Sequence, residues 1–309
     1  MSTPSPAFLI IGAQKAGTTS MHQVLTQHRS IWMPPIKELH YFDRESSCDE
    51  HFALDSYLAH YADAPVDAIC GEATPCYLFH PDAARRIHTV LGDDIKLIIT
   101  LRNPARRAYS HYLMNVRKGY ETLGFEEALQ AESDRIHQSE RWRMRYSYIA
   151  RGFYHEQLQR YLQHFKRSNL RIYIFEQDII GDWPGVWSDL CQFLDLQSSP
   201  HIPLVQSNPA RKIRSPLVHW AMQQPALKKL KNKLVSRDLN LKLRYALTES
   251  AAPMSSAQSQ KILNQYFADD IQALQQLLGR PLDIWPDRTS SGSEIKHSQT
   301  STRPAKTRT

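Results

Sequence analysis

Apolar residues along the chain come in short unbroken runs, separated by stretches with a helical repeat. Residues 7–11, Ala-Phe-Leu-Ile-Ile, end at Gly12, the pattern of a buried strand entering a tight turn. From Thr18 the period changes: Met21, Val24, Leu25 and His28 fall at i, i+3, i+4 and i+7, which predicts a helix of about three turns. Pro34 and Pro35 then predict extended backbone over residues 36–43. A second strand is expected at 68–72, with a helix after Pro81, and the clearest strand at 95–101. Pro104 suits the first turn of the next helix, whose apolar stripe is Ala105, Ala108, Tyr109, Tyr112, Leu113 and Val116. A helix carrying Leu158, Tyr161, Leu162 and Phe165 leads to a strand at 170–175, and a last long helix spans 255–278. Strands that are apolar throughout, alternating with helices, predict an α/β fold with a central parallel sheet flanked by helices.

Composition narrows the class. The 309 residues are 41% hydrophobic and 22% charged, which fits a globular chain with a sizeable core. Four cysteines without CxxC spacing exclude a disulfide scaffold and a zinc ribbon, and no metal is expected. No apolar run approaches the ~18 residues of a membrane span, and the N-terminus lacks the features of a signal peptide. The expectation is a cytoplasmic protein. Of the net charge of +7, Arg288, Lys296, Arg303, Lys306 and Arg308 against Glu294 place four charges on the last 22 residues. The mildly basic body suits a small anionic ligand better than nucleic acid. The domain is therefore drawn over 1–287, and 288–309, with almost no apolar residues, is expected to be disordered.

The strongest chemical signal is Gly12-Ala-Gln-Lys15-Ala16-Gly17-Thr18-Thr19 between a strand and a helix. Successive backbone N–H groups at a helix N-terminus make an anion cradle. Compared with GxxxxGK[ST], the lysine stands at the fourth position, with Thr18 directly after the second glycine, so the ammonium is aimed differently from that of a nucleotide triphosphatase. At the end of a later strand, Arg102-Asn-Pro104 and Ser110 offer a guanidinium and a hydroxyl on rigid elements, suited to a second phosphate. Arg106 and Arg107 read as solvated helix residues. In Lys37-Glu38-Leu-His40-Tyr-Phe-Asp43, extended backbone points Glu38 and His40 to the same side, where a carboxylate could take a proton from an acceptor.

Taken together, these segments resemble the sulfotransferases that use 3′-phosphoadenosine-5′-phosphosulfate (PAPS). The first looks like their 5′-phosphosulfate loop, the second like their 3′-phosphate motif. The third is similar to the Glu-x-His-Phe-Phe-Asp segment of the heparan sulfate branch, where the glutamate is the general base. The resemblance implies a P-loop, nucleotide-kinase-like fold and PAPS as donor. It also implies a carbohydrate as the favoured acceptor, with no metal required. Lys15, Ala16, Gly17, Thr18 and Thr19 would hold the 5′-phosphate, and Arg102 and Ser110 the 3′-phosphate. Glu38 would act as base, with Lys15 and His40 as its catalytic companions. Tyr154, in Arg151-Gly-Phe-Tyr154, is similar to a tyrosine that lies against adenine, with a buried core role as the competing reading. Arg214, in Arg211-Lys-Ile-Arg214, falls in the region of a late basic loop over the nucleotide. Gly71-Glu-Ala73-Thr-Pro75-Cys-Tyr77 resembles a Glu-Lys-x-Pro-x-Tyr stretch of the heparan sulfate enzymes, but Ala73 stands where they carry a lysine near the acceptor. The alternatives are a small-molecule kinase and a non-catalytic protein that binds adenosine 3′,5′-bisphosphate.

Overall fold

The computed structural model describes residues 4–44, 54–196, 202–204, 211–213, 248–250 and 252–285. The expected tail at 288–309 and Arg214 lie outside the described residues. Five strands, β1 (Phe8–Gly12), β2 (Ile31–Trp32), β3 (Ile69–Ala73), β4 (Lys96–Leu101) and β5 (Leu170–Ile174), form one parallel sheet in the order β2-β3-β1-β4-β5. In the registers Leu9 faces Glu72 on one side and Leu97 on the other. The apolar runs make sense in this order: β1 is buried along its whole length because it is the central strand.

Alternation along the strands sends side chains into two cores. Leu9, Ile11, Leu97, Ile99 and Leu101 meet Ala105 and Ala108 of α4 (Pro104–Lys118) and Leu158 of α8 (Tyr154–Leu162). Phe8, Ile10 and Ile98 meet Met21, Val24 and Leu25 of α1 (Thr18–Thr26). The same core takes Trp187 and Leu190 of α9 (Trp183–Phe193). Between them come α2 (Leu54–Leu58), α3 (Ala83–Leu91), α5 (Phe125–Gln130), α6 (Glu132–Ile136) and α7 (Glu140–Tyr146). The result is a three-layer α/β/α arrangement. The chain crosses to one side of β1 to build β2 and β3, and to the other to build β4 and β5. That change of direction opens a crevice at the carboxyl ends of the central strands, where ligands bind in such sheets.

Four expectations need correction. The last long helix is two, α10 (Ser256–Ile262) and α11 (Ala268–Leu278), joined by a π-type turn, Leu263–Phe267. Residues 211–213 form a short strand, β6 (Arg211–Ile213), antiparallel to β7 (Thr248–Ser250), instead of a loop. Arg107 is not solvated; it is 0% exposed. The buried face of α4 runs through Pro104, Arg107, Ala108, His111 and Asn115, because the segment covering it supplies polar partners. Arg107 donates to the Tyr148 carbonyl, and Asn115 Nδ2 donates to the Arg145 carbonyl at 2.8 Å. Residues 36–43 are not extended: Glu38 (φ 64°) and His40 (φ 55°) are both left-handed, so the segment is coiled. No helix among the described residues is long and apolar enough to cross a membrane.

Candidate functional site

The loop from β1 to α1 is shaped by contacts that require its glycines. A Cβ at Gly12 would lie 2.5 Å from Leu78 Cβ, so the loop can cross the β3 side only without a side chain. Gly17 has φ 91°, and a Cβ there would meet the Phe175 ring at 2.7 Å. Gly17 also precedes α1 as its cap, and no side chain caps that helix. The first N–H groups of α1 therefore point into the crevice with the positive end of the helix dipole. The loop is tied to β4 by a bond from Ala13 N–H to the Thr100 carbonyl at 2.7 Å.

Lys15 takes a left-handed backbone (φ 73°) in this loop. Burial, together with the charges of Arg117, Arg102 and Lys118, lowers its ammonium from the usual lysine range to about 8, with Glu38 opposing. Among the described residues it has no carboxylate within ion-pair distance. A desolvated ammonium surrounded by cations is a place for an anion. Arg102, at the end of β4, donates from Nη1 to the Lys15 carbonyl at 3.1 Å and stacks 5.2 Å from the centroid of Phe175. Its position is set by the α4 N-cap. The Asn103 side chain accepts from Arg106 N–H at 3.1 Å and donates to the Trp285 carbonyl at 2.9 Å. Ser110 sits partly exposed on α4, and Thr18 is buried at the start of α1 while Thr19 is half-buried. Tyr154 is 0% exposed, and its hydroxyl donates to the Arg102 carbonyl at 2.8 Å. It thus stands behind Arg102.

The segment carrying Glu38 and His40 hangs from β3 and the turn after it. Glu38 N–H donates to the Ala73 carbonyl at 3.1 Å, and Tyr41 N–H donates to the Tyr77 hydroxyl at 3.0 Å. Tyr77 in turn donates to Glu72 at 3.1 Å, a carboxyl that also accepts from Tyr57 and Thr74, each at 2.9 Å. Burial pushes Glu72 up to about 7 in spite of those bonds. The two left-handed residues bring the side chains together by folding the segment, and not through the alternation of a strand. Glu38 Oε1 pairs with Lys37 Nζ at 2.8 Å, and Oε2 lies 3.7 Å from His40 Nε2. His40 Nδ1 lies 2.8 Å from Asp43 Oδ2. Burial alone would raise the Glu38 carboxyl, but the His40 contact and the Lys37 charge pull it down to about 2. Burial alone would lower His40, but Asp43 and Glu38 hold it up at about 9, so the imidazole is a cation bridging two carboxylates.

The structure therefore brings Lys15, Gly17 and Arg102 to one anion-favouring pocket, and Glu38 and His40 to one dyad whose charge is felt at Lys15. Sequence reasoning missed the partners. Asp43 was visible only as the end of the motif, three residues after His40. Nothing in the local pattern singled out Phe175, which supports both Gly17 and Arg102. Glu72 and Tyr77 stood in the stretch from Gly71 to Tyr77, but nothing there showed that they hold the coiled segment.

Residues 5–244 match the family profile described as "Sulfotransferase domain". A heparan sulfate glucosamine 3-O-sulfotransferase 6 of Mus musculus is 28% identical over 204 residues, covering 62% of this chain and 53% of that protein. A membrane-associated sulfotransferase of Dictyostelium discoideum is 33% identical over 117 residues, covering 36% of this chain and 23% of that protein. The chain thus spans about half, or less, of the length of these curated relatives. The crystal structure of a sulfotransferase from Alicyclobacillus acidocaldarius superposes with a TM-score of 0.66 at 28% identity, covering 91% of this chain and 99% of that one. With a profile match over most of its length and a solved relative of the same fold, this chain belongs to the sulfotransferase domain family.

Proposed function

We propose that this chain moves a sulfuryl group from PAPS to a hydroxyl or amine of a carbohydrate acceptor by in-line displacement, with Glu38 as the base. The observation that carries the reading is a convergence of strained backbone. Of the four non-glycine residues with left-handed φ among the described residues, Lys15, Glu38 and His40 belong to this one site, and only Asp195 lies elsewhere. Such conformations cost of order 1–3 kcal/mol each and persist where function requires the geometry. The pocket suits a polyanionic donor, because Lys15 is desolvated, has no carboxylate within ion-pair distance among the described residues, and the α1 N-terminus has no side-chain cap.

PAPS, when bound, would supply the sulfuryl group and an adenosine 3′,5′-bisphosphate leaving group. The amides of residues 16–19 with Thr18 and Thr19 would hold the 5′-phosphate, and Arg102 with Ser110 the 3′-phosphate. Lys15 would balance the charge that grows on the leaving oxygen, where a preorganised cation in a dry pocket acts most strongly. Glu38, held ionised by Lys37 and His40, would receive the acceptor proton. An acceptor that displaces the half-buried Lys37 removes a cation from beside the Glu38 carboxylate, so that burial is less opposed and Glu38 becomes a stronger base as the acceptor docks. His40, clamped by Asp43, would fix the direction of the Glu38 carboxylate. The carbohydrate acceptor rests on the heparan sulfate relatives and on the Glu38 to Asp43 segment. Ala73, without a side-chain charge at the acceptor side, argues for a substrate different from theirs.

The test is sulfur-labelled transfer from PAPS to pooled glycans with the wild-type chain and Glu38→Gln. Transfer falls by about 10²–10⁴, the range of a general base, while nucleotide affinity is retained. Near-normal transfer in Glu38→Gln with a large loss in His40→Ala makes histidine the base instead. Adenosine 3′,5′-bisphosphate should bind roughly ten- to a hundredfold more tightly than ADP if Arg102 reads a 3′-phosphate, as expected for a charge-assisted bond worth about 1.5–3 kcal/mol. Equal affinities, or tight binding of Mg-ATP, favour the kinase.

A further inference from the structure

We propose that His40, Asp43 and Cys76 form a site for a soft divalent transition metal, zinc being the type, which silences the acceptor side when filled. One ligand atom from each of the three lies within 4.8 Å of the others. They come from two segments, the coiled stretch that carries His40 and the turn after β3 that carries Cys76. The Tyr77 hydroxyl joins those segments by accepting Tyr41 N–H at 3.0 Å, so the spacing of the three groups is held by the fold. Asp43 and Cys76 are each 6% exposed. Asp43 Oδ2 faces His40, but Oδ1 is buried with no hydrogen-bond partner. A buried carboxylate oxygen without a donor calls for a cation or another donor.

The donor set selects the metal. Imidazole nitrogen, carboxylate oxygen and thiolate sulfur suit zinc and its neighbours, whereas magnesium and calcium require oxygen ligands. Three protein ligands are one fewer than a closed tetrahedral structural site uses, which leaves a fourth position for water or another small ligand. Arg151 sets its strength. Its Nη2 lies 3.8 Å from Cys76 Sγ and is held by the Met144 carbonyl at 3.0 Å, so it would donate to the metal-bound thiolate while its charge opposes the dication. Such a site fills and empties with metal supply. Filling it would release one proton from the His40 imidazolium and one from the Cys76 thiol, part the His40 ring nitrogen from Asp43, and put a divalent cation in place of the imidazolium charge beside Glu38.

The experiment uses the full chain, reduced and freed of metal with a chelator, titrated with Co²⁺ in the absence of nucleotide. A thiolate-to-cobalt charge-transfer band should grow along a single-site isotherm, be displaced by Zn²⁺ and be untouched by excess Mg²⁺. Cys76→Ser should lose the band with an unchanged melting profile, while Cys70→Ser and Cys191→Ser keep it. Should Cys76→Ser not fold, Asp43→Asn replaces it and should shift the isotherm to higher Co²⁺ with the band retained. In transfer assays Zn²⁺ should inhibit the wild-type chain and leave Cys76→Ser active. Absence of the band, or its survival at full strength in Cys76→Ser, overturns the proposal. The optical titration needs no sulfuryl donor, so its failure is distinct from a failure of the transfer reading.

Discussion

Lys15 is the residue where burial and charge are most at odds, and its protonation should be visible in binding. Its ammonium is lowered to about 8 by burial and by Arg117, Arg102 and Lys118, with Glu38 opposing. An anion in the pocket favours the protonated form. Affinity for adenosine 3′,5′-bisphosphate should therefore be steady below pH 8 and fall as pH rises through it, up to about tenfold per pH unit. Calorimetry across that range checks this, and Lys15→Ala should flatten the profile. A profile that stays steep in Lys15→Ala assigns the titration to another group. At the same scale, Gly17→Ala joins a positive φ to a clash with Phe175, so loss of nucleotide affinity should exceed loss of stability. The left-handed backbone alone costs about 1–2 kcal/mol.

The element on which the proposed acceptor chemistry depends is the coiled segment after β2. It has little secondary structure of its own and is carried by two bonds to β3 and its turn, Glu38 N–H to Ala73 and Tyr41 N–H to Tyr77. Tyr77→Phe keeps the ring and removes the hydroxyl that takes the Tyr41 N–H and donates to Glu72. Leaving buried groups unpaired costs about 1–3 kcal/mol. Denaturant unfolding should show that loss, and transfer should fall in kcat with nucleotide affinity preserved. A stability loss without a fall in kcat limits Tyr77 to packing. The proline pair suggested extended backbone here, but proline fixes φ only at its own position and biases the one before it. The later turns are set by contacts with residues 73 and 77, distant in sequence.

At the scale of the molecule, the end of the described chain is built in beside Arg102, on the side of the proposed nucleotide site. Trp285 is 0% exposed, donates from its indole N–H to Glu176 at 3.1 Å, and offers its carbonyl to Asn103, the residue that caps α4 beside Arg102. Trp285→Ala should cost about 3–5 kcal/mol and weaken nucleotide binding as well, because Asn103 and Glu176 lose their common partner. Thermal unfolding with and without adenosine 3′,5′-bisphosphate separates the two effects. Deleting residues 290–309, by contrast, should leave the melting temperature unchanged, since that segment has too little apolar surface to dock. A fall of many degrees would move the domain boundary beyond 287.

The sequence by itself determined the central strands, the glycine loop, α1, α4 and the family to which the chain belongs. Continuous apolar runs and glycine spacing are local signals that a buried parallel strand and an anion loop both require. Only the tertiary structure decided which polar residues are buried. Arg107 reads as a solvated helix residue until the segment around Tyr148 covers it, together with His111 and Asn115 on the same face. It also decided the conformation that brings Glu38 to His40, and the meeting of Cys76 with His40 and Asp43. These depend on contacts between residues about 30 or more apart in the chain, to which no spacing rule applies, because they are chosen by loop closure and packing and not by local periodicity.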